Sequence, residues 1–256
     1  MKMAVEYITS SQNPLIRHVR KLQSSRSYRR ESKEFICEGW KLLEEALKWF
    51  PNIKTVIYAR GRICPPMPSH VREVEVPESL LESLSSMKSP QGVLFTCELP
   101  EDREPELRRG MLLLDGIQDP GNLGTILRTA DAFDIPVVLT NGCADPYSDK
   151  TLRASMGAVL RTIPGSISIE VLLQRCKEQG IPVAATALTD KAVDLRTLEL
   201  SDYITVIGSE GQGICRTLLE ASQQQVIIPM NSRCESLNAG IAASIVMWQI
   251  KSGYQG

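Results

Sequence analysis

The chain has 256 residues, of which 43% are hydrophobic and 23% charged, and its 29 Lys and Arg residues nearly balance 30 Asp and Glu residues. This composition is typical of a folded globular protein and excludes a disordered or low-complexity chain. No stretch approaches the ~18 apolar residues of a membrane span, and the N-terminus lacks the apolar core of a secretory signal, so we expect a cytoplasmic protein without membrane attachment.

Cysteine and histidine restrict the chemistry available to the chain. The seven cysteines lie far apart and form no C-x-x-C pair, which predicts neither a disulfide framework nor a zinc site. His18 and His70 are the two histidines of the sequence, and both precede its motif-rich half. We therefore expect no bound metal and a mechanism without imidazole.

The first predicted element is a basic helix at about residues 13–24. Residues 1–72 carry 14 Lys and Arg against six acids, whereas the whole chain has a net charge of −1. This surplus favours a polyanionic partner, although charge alone leaves a solvated helix face equally open. The candidate residues for contact with the polyanion are Arg17, Arg20, Lys21, Arg26, Arg29 and Arg30.

The rest of the first half predicts a small mixed α/β domain. FICEGWKLLEEALKWF has the apolar spacing of a helix, and a second short helix is predicted at LLESLSSMK. Strands are predicted at KTVIYAR, VREVEVP and GVLFTCEL. The polar, proline-containing segment 98–110 then interrupts the pattern, which predicts one domain over 1–100, a linker over 101–108 and a second domain over 109–256.

The second half alternates strands and helices, which predicts an α/β domain with a mostly parallel sheet flanked by helices. The predicted strands are 111–115, 136–140, 160–164, 182–187, 203–208 and 225–230. The predicted helices are 123–133, about 149–157, 171–180, 214–222 and about 239–251. Ligands of such sheets bind at the carboxyl ends of the strands, which directs attention to the loops after Asp115, Gly208 and Pro229.

The first of these loops begins the segment DGIQDPGNLGTILRTADAF, residues 115–133. Pro120 and Gly121 predict a tight turn, and Asn122 or its neighbour is suited to cap the following helix. Backbone N–H groups at that helix start, with Arg128 inside it, are suited to hold an anion, while a plain turn and a solvent-facing arginine remain the alternative.

The other two loops carry glycine and small residues. In GSEGQGI, residues 208–214, the glycines let a ligand approach the backbone, while Glu210 disfavours a pyrophosphate and favours a neutral or cationic nucleoside. In the third segment, 227–250, Ser236 or Asn238 is suited to cap the last helix, and small residues such as Gly240 allow another backbone to pack closely.

In this order the three segments resemble the three motifs of the SpoU/TrmH branch of the SPOUT-class RNA 2′-O-ribose methyltransferases. Asn122 and Arg128 match the asparagine and arginine of motif 1, GSEGQG matches motif 2, and IPMNSRCESLN matches motif 3. LRASMGAVLRTIP resembles a further recurrent segment, and FICEGWKLLEEAL resembles, more loosely, the ribosomal-protein-like substrate-binding domain that often precedes the catalytic domain. Asp134 stands where the family commonly has glycine, and Asp tolerates the left-handed conformation of a helix end.

The resemblance implies a SPOUT fold with a deep trefoil knot, a homodimer with the terminal helix near its interface, and S-adenosylmethionine as the methyl donor. It implies that the donor binds against the loops near Gly208, Ile228 and Leu237, with Thr186 and Gly213 as further contacts. The implied catalytic residues are Arg128, Asn122, Glu210, Ser236 and Asn238.

In the family the motif 1 arginine is credited with activating the ribose hydroxyl. An arginine keeps its proton and is therefore a poor base, so we expect Arg128 to stabilise the developing alkoxide and to position a neighbouring phosphate. Four further residues are expected to orient the ribose, Arg128 or the loop 208–214, which is called the donor loop because it is expected to bind the methyl donor. They are Asn122, Glu210, Ser236 and Asn238.

The resemblance leaves the RNA itself open. The appended domain favours ribosomal RNA over transfer RNA as the substrate. A transfer RNA 2′-O-methyltransferase, a noncatalytic RNA-binding protein of the same fold, and a methyltransferase for small molecules or proteins are the alternatives. Methyl transfer to RNA and salt-sensitive RNA binding distinguish these possibilities.

Overall fold

The structure, a computed structural model, describes residues 5–101 and 104–253. The elements of the first part of the chain, in order, are β1 (Glu6–Tyr7), α1 (Pro14–Ser24), α2 (Arg26–Ser32), β2 (Glu34–Glu38), α3 (Trp40–Trp49), β3 (Ile53–Ala59), β4 (Arg72–Val76), α4 (Glu78–Glu82) and β5 (Val93–Glu98).

These strands form a five-stranded mixed sheet in the order β1-β4-β3-β5-β2. β1, β4 and β3 run parallel, whereas β5 is antiparallel to both β3 and β2. The apolar face of α1 buries Ile16, Val19 and Leu22 in one core with sheet residues such as Ile57 and Val74. The predicted basic helix is therefore confirmed as an amphipathic helix whose opposite face is free for its cations.

The prediction of a helix over the whole of FICEGWKLLEEALKWF is wrong in its first part. Its first residues belong to β2, and the helix α3 begins at Trp40. Gly39 separates the two with a φ of 113°, a backbone conformation that favours glycine. Phe35, Ile36 and Cys37 are all buried, so this run has no polar alternation to distinguish a covered strand from a helix.

The second part of the chain adds seven strands and six helices to the described elements. They are β6 (Leu112–Asp115), α5 (Pro120–Phe133), β7 (Val137–Leu139), α6 (Asp149–Ala154), α7 (Ala158–Arg161), β8 (Gly165–Ser166), α8 (Ile169–Gln179), β9 (Val183–Thr186), β10 (Val193–Asp194), β11 (Ile204–Gly208), α9 (Arg216–Ala221), β12 (Gln224–Ile227) and α10 (Ala239–Gly253). Two short 3₁₀ turns, Leu195–Thr197 and Leu200–Asp202, lie between β10 and β11.

The seven strands form one sheet in the order β10-β12-β9-β11-β6-β7-β8, and every described neighbouring pair in it is parallel. The predicted parallel sheet flanked by helices is thus confirmed. Leu112, Leu113 and Leu114 alternate between its two faces and are all fully buried, so both faces are covered. Leu113 shares its core with Leu172 of α8 and Leu218 of α9.

Helices α5 and α10 pack against each other through small residues. A Cβ added to Gly240 would lie 3.4 Å from Cγ2 of Thr125, and the hydroxyls of Thr129 and Ser244 are 3.3 Å apart. The small residues predicted to allow close packing therefore serve the contact with α5. Asp134 ends α5 in the left-handed conformation, with a φ of 56°, as predicted for this position.

The chain crosses three times between two compact units. Of the described residues, 5–101 and 147–161 form unit 1, and 104–146 and 162–253 form unit 2. Unit 1 therefore includes α6 and α7, where the ring of Tyr147 lies 4.9 Å from that of Phe35 and Arg161 forms an ion pair with Glu45. The strand predicted over 160–164 is wrong, because α7 occupies its first residues and β8 begins only at Gly165.

Across the residues that the structure describes, no helix has the length and apolar character that spanning a membrane would require.

Candidate active site

The carboxyl edge of the parallel sheet brings the predicted ligand-binding loops to one place. Gly208, the last residue of β11, is in register with Asp115, the last residue of β6. Thr186, the last residue of β9, is in register with Val226 of β12, and Ile228 follows that strand directly. The strand ends at which a ligand of such a sheet binds therefore include three of the predicted donor-binding residues.

Helix α5 starts three residues earlier than predicted. Its N-cap is Asp119, whose carboxylate accepts the backbone N–H of Asn122 at 2.9 Å, and Pro120 occupies the first helical position. The prediction that Asn122 or its neighbour caps the helix is therefore wrong. Because Asn122 already lies within the first turn, its side chain is free to contact other segments.

A chain of side-chain hydrogen bonds joins the three motif segments. The Nδ2 group of Asn238 donates to Oδ1 of Asn122 at 2.9 Å, and Nδ2 of Asn122 donates to Oε1 of Glu210. Oδ1 of Asn238 in turn accepts the backbone N–H of Ile241 at 3.2 Å, which makes Asn238 the cap of α10. Each amide is oriented by its neighbours, and the series of hydrogen bonds ends at the exposed carboxylate of Glu210.

The glycine-rich loop after β11 closes on itself. The backbones of Ser209 and Gly213 exchange two hydrogen bonds of 3.0 Å, and Gly213 has a φ of 68°. A Cβ on Gly208 would lie 2.2 Å from the carbonyl carbon of Gly213, so only glycine fits at that position. The fold of the loop places Glu210 at its exposed tip, beside Asn122.

Arg128 and Ser236 do not take part in these hydrogen bonds. Arg128 lies six residues after Asn122 on α5, so its side chain leaves the helix in a different direction. It is exposed, and within the described part of the chain it makes no hydrogen bond or ion pair. Ser236 is exposed in the segment before α10. The roles expected for these two residues remain predictions.

Asp115 is not among the site residues predicted from the sequence, although it is 93% buried at the carboxyl edge. Its Oδ2 accepts the backbone N–H of Cys215 at 2.7 Å, and its Oδ1 accepts the hydroxyl of Thr140 at 3.0 Å. Burial raises the pKa of the Cys215 thiol, and the neighbouring Asp115 adds to this effect. A charged residue that ends the apolar run MLLLD was the available signal in the sequence.

The surroundings of this edge fit a nucleoside with a positive charge. A Cβ added to Gly211 or Gly213 would meet no atom within 4 Å, so a ligand has room beside the loop backbone. Ile228 and Leu237 are half-buried, which offers apolar surface to a base, and Glu210 supplies a negative charge. Within residues 5–101 and 104–253, no group of three or more His, Cys, Asp and Glu side chains is arranged to hold a metal ion.

Unit 1 carries most of the predicted polyanion-binding side chains on its surface. The exposed members of the set are Arg17, Arg20, Lys21, Arg26 and Arg30.

The prediction that Arg29 contacts the polyanion is corrected by the structure, because this residue is 95% buried. Its Nη1 donates to the carbonyls of Leu22 at 2.5 Å and Gln23 at 3.4 Å, so it satisfies carbonyl groups at the end of α1. Arg29 therefore acts within the fold of unit 1 and is not available on its exposed basic face.

Comparison with known proteins identifies the family. Residues 110–248 match the SpoU rRNA methylase family, and residues 13–94 match the MRM3-like substrate-binding domain. The chain belongs to the SpoU rRNA methylase family. The resemblance drawn from the three motifs and from FICEGWKLLEEAL is thereby confirmed.

Relatives of known sequence and structure share almost the whole length of the chain. The 23S rRNA (guanosine(2553)-2′-O)-methyltransferase RlmP of Bacillus subtilis is 30% identical over 96% of this chain and 100% of its own length. An S-adenosylmethionine-bound rRNA methyltransferase from Sinorhizobium meliloti is 29% identical and covers 98% of this chain and 99% of its own, with a TM-score of 0.86. A solved RNA 2′-O-ribose methyltransferase is 28% identical over 96% and 98% of the two chains, with a TM-score of 0.79. The chain therefore has the SPOUT fold.

Proposed function

We propose that this protein transfers the methyl group of S-adenosylmethionine to a ribose 2′-hydroxyl of RNA, and that the RNA is ribosomal. The observation that carries the proposal is the hydrogen-bonded chain from Asn238 through Asn122 to Glu210, which joins all three family motifs at the carboxyl edge of the sheet. RlmP, which matches 96% of this chain over its own whole length, is a 23S rRNA methyltransferase, and this favours ribosomal over transfer RNA.

The donor contacts of the proposed site are the loops that end at this edge. S-adenosylmethionine supplies a methyl group activated by a positively charged sulfur. Gly208 and Gly213 expose backbone groups to it, Thr186, Ile228 and Leu237 surround the nucleoside, and Glu210 offsets the positive charge. A trefoil knot formed by the C-terminal segment, as in the family, would hold these loops against one another.

The chemistry on the RNA side is assigned to Arg128. The hydroxyl oxygen must line up with the methyl carbon and must lose its proton. A guanidinium close to that oxygen stabilises the alkoxide that develops and pairs with the adjacent phosphate, and the proton passes to that phosphate or to solvent. Asn122 and Asn238 hold the motif 1 helix and the donor loop in one arrangement, and Ser236 is assigned to the ribose.

The RNA-binding and catalytic roles are assigned to separate parts of the chain. We propose that residues 1–100 bind the RNA through the exposed basic side chains of α1 and α2, that 101–108 form a linker, and that 109–256 form the catalytic domain. Each cation that pairs with a phosphate releases counterions, so RNA binding weakens as salt rises. Within this scheme the segment 147–161 belongs to the catalytic sequence but folds into unit 1.

We further propose that the protein works as a cytoplasmic homodimer with α10 at its interface. Ile241 and Trp248 lie seven residues apart on α10 and are 52% and 62% exposed. Two large apolar side chains on one face of a helix, beside the partly exposed Phe133, form a patch suited to contact a second copy.

A methyl-transfer assay tests the proposed function directly. The purified protein is incubated with S-adenosylmethionine carrying a labelled methyl group and with ribosomal RNA or transfer RNA lacking 2′-O-methylation. We expect the label in ribosomal RNA, in a dinucleotide that resists alkaline hydrolysis because its 2′-oxygen is blocked. Label confined to transfer RNA would establish the alternative substrate, and tight binding of RNA and donor without transfer would establish a noncatalytic protein.

A further inference from the structure

Asp115 closes the donor loop at both of its ends. Its backbone lies opposite Gly208, where the loop begins, in the pairing of β6 with β11. Its carboxylate accepts the N–H of Cys215, which is the N-cap of α9 and the residue directly after the loop. One residue therefore fixes the entrance and the exit of the segment 208–215.

The carboxylate also connects this loop to the next strand. Oδ1 accepts the hydroxyl of Thr140, which follows β7 directly and is itself 97% buried. Cys143, near the same strand end, donates to the carbonyl of Leu114 at 3.3 Å. The carboxyl ends of β6 and β7 and the start of α9 are thus held together by hydrogen bonds between buried or part-buried groups.

We propose that Asp115 is a positioning residue, which holds the loop 208–214 in the shape that binds the methyl donor S-adenosylmethionine. The inference rests on the proposed function. Asp115 acts through the loop backbone, because both of its carboxylate oxygens already have partners in the protein. Loss of the carboxylate leaves the part-buried N–H of Cys215 without its acceptor, so the residue after the loop is no longer tied to the end of β6.

The test uses the full-length protein and measures donor binding without RNA. Asp115→Ala is expected to weaken the affinity for S-adenosylmethionine about 10- to 100-fold, the usual effect of leaving one N–H group without its hydrogen-bond acceptor, and to speed the hydrogen exchange of the Cys215 amide. RNA affinity is expected to remain unchanged. The matched control is Asp202→Ala, which removes an exposed Asp that precedes β11, and it is expected to leave donor affinity unchanged.

Asp115→Asn separates positioning from charge. Its amide keeps an acceptor for Cys215 and offers a donor to the hydroxyl of Thr140, so we expect donor affinity within about threefold of the wild type. Thr140→Val, which removes only the second bond, is expected to have a smaller effect than Asp115→Ala.

Two results would overturn the inference. One is unchanged donor affinity in a folded Asp115→Ala variant whose Cys215 amide exchanges faster. Another is loss of donor affinity in Asp115→Asn while that amide stays protected, since Asp115 would then act on the donor through its charge. If the alanine variant does not fold, the asparagine variant decides. A wild-type protein that fails to bind S-adenosylmethionine would instead contradict the proposed function itself.

Discussion

At the scale of single residues, the direction of the hydrogen bonds in the site is fixed by chemistry. Glu210 can only accept, so the amide of Asn122 must turn its NH₂ group toward Glu210 and its oxygen toward Asn238. Asn238 must then direct its own oxygen to the N–H of Ile241. One carboxylate thereby sets the orientation of two amides that belong to different motifs.

A charge exchange tests this arrangement. Asn122→Asp places a carboxylate against Glu210, and we expect methyl transfer to fall at least about tenfold at neutral pH because like charges repel at this distance. Adding Glu210→Gln restores a donor and acceptor pair in the reverse direction and is expected to recover most of the loss.

Steady-state rates of the two single variants and the double variant measure the coupling between the two positions. Losses that simply multiply in the double variant would show that the two side chains do not depend on each other.

The second residue-scale prediction concerns Arg128. Arg128→Ala is expected to lower the rate of methyl transfer by about 100- to 1,000-fold, the usual effect of losing one group that stabilises developing charge. The affinity for S-adenosylmethionine, measured by calorimetry, is expected to stay the same, since Arg128 lies outside the hydrogen-bonded chain. Undiminished turnover would contradict the assigned role.

At the scale of elements, helix ends determine which side chains are available for function. Asp119 caps α5 and so frees Asn122 for Glu210, and Asn238 caps α10 while also reaching Asn122. In unit 1, Arg29 occupies the end of α1 and its neighbour Arg30 remains exposed. Of these two adjacent arginines, Arg29 therefore stabilises the fold, and Arg30 is exposed where it can contact RNA.

Substitution of these two arginines separates folding from RNA binding. Arg29→Ala removes the donor to the Leu22 carbonyl and is expected to lower the free energy of unfolding by about 1–3 kcal/mol. Arg30→Ala is expected to change it by less than about 0.5 kcal/mol but to lower the salt dependence of RNA binding by about one unit of slope.

Urea unfolding and RNA titrations at several salt concentrations measure both effects. The opposite pattern, with Arg30 important for stability and Arg29 for RNA binding, would contradict the structure.

The elements that the sequence predicted well are those with a long, unambiguous pattern. The runs at 111–115 and 203–208 are apolar throughout because both faces of the sheet are covered, and both are strands. The two-residue strands β1 and β10 have no comparable signal. Pro120 was interpreted as a turn residue, although proline also begins helices, and this interpretation displaced the start of α5.

The three motifs identified the site through family resemblance, and physical pattern alone did not. Each loop by itself also fits a capped helix or a plain connection. The hydrogen bonds from Asn122 to Glu210 and Asn238 join residues 88 and 116 positions apart, and a local sequence pattern cannot predict such distant contacts. The burial of Arg29 could not be predicted either, since a charged residue in a basic segment is usually exposed. Asp115 was overlooked because its partners are a distant backbone N–H and a hydroxyl.

At the scale of the whole molecule, substitution of two exposed tryptophans tests the proposed homodimer. Trp248→Glu introduces a charge into the face of α10 assigned to the dimer and is expected to yield monomers in light scattering. Trp49→Glu is the matched control, because Trp49 of unit 1 is 60% exposed against 62% for Trp248, and it is expected to leave the dimer intact. Monomers in both variants, or in neither, would argue against α10 as the interface.

Because the chain returns to unit 1 at residue 147, the first unit cannot finish folding until part of the second has been synthesised. Phe35 meets Tyr147, and Glu45 meets Arg161, only after β6, α5 and β7 have been synthesised. A nascent polypeptide leaving the ribosome thus holds an unfinished first unit while the second has already begun. A fragment cut at residue 101 would lack α6 and α7 and would bare the apolar surface that they cover, so expression of the isolated first unit needs the later segment supplied through a designed connection.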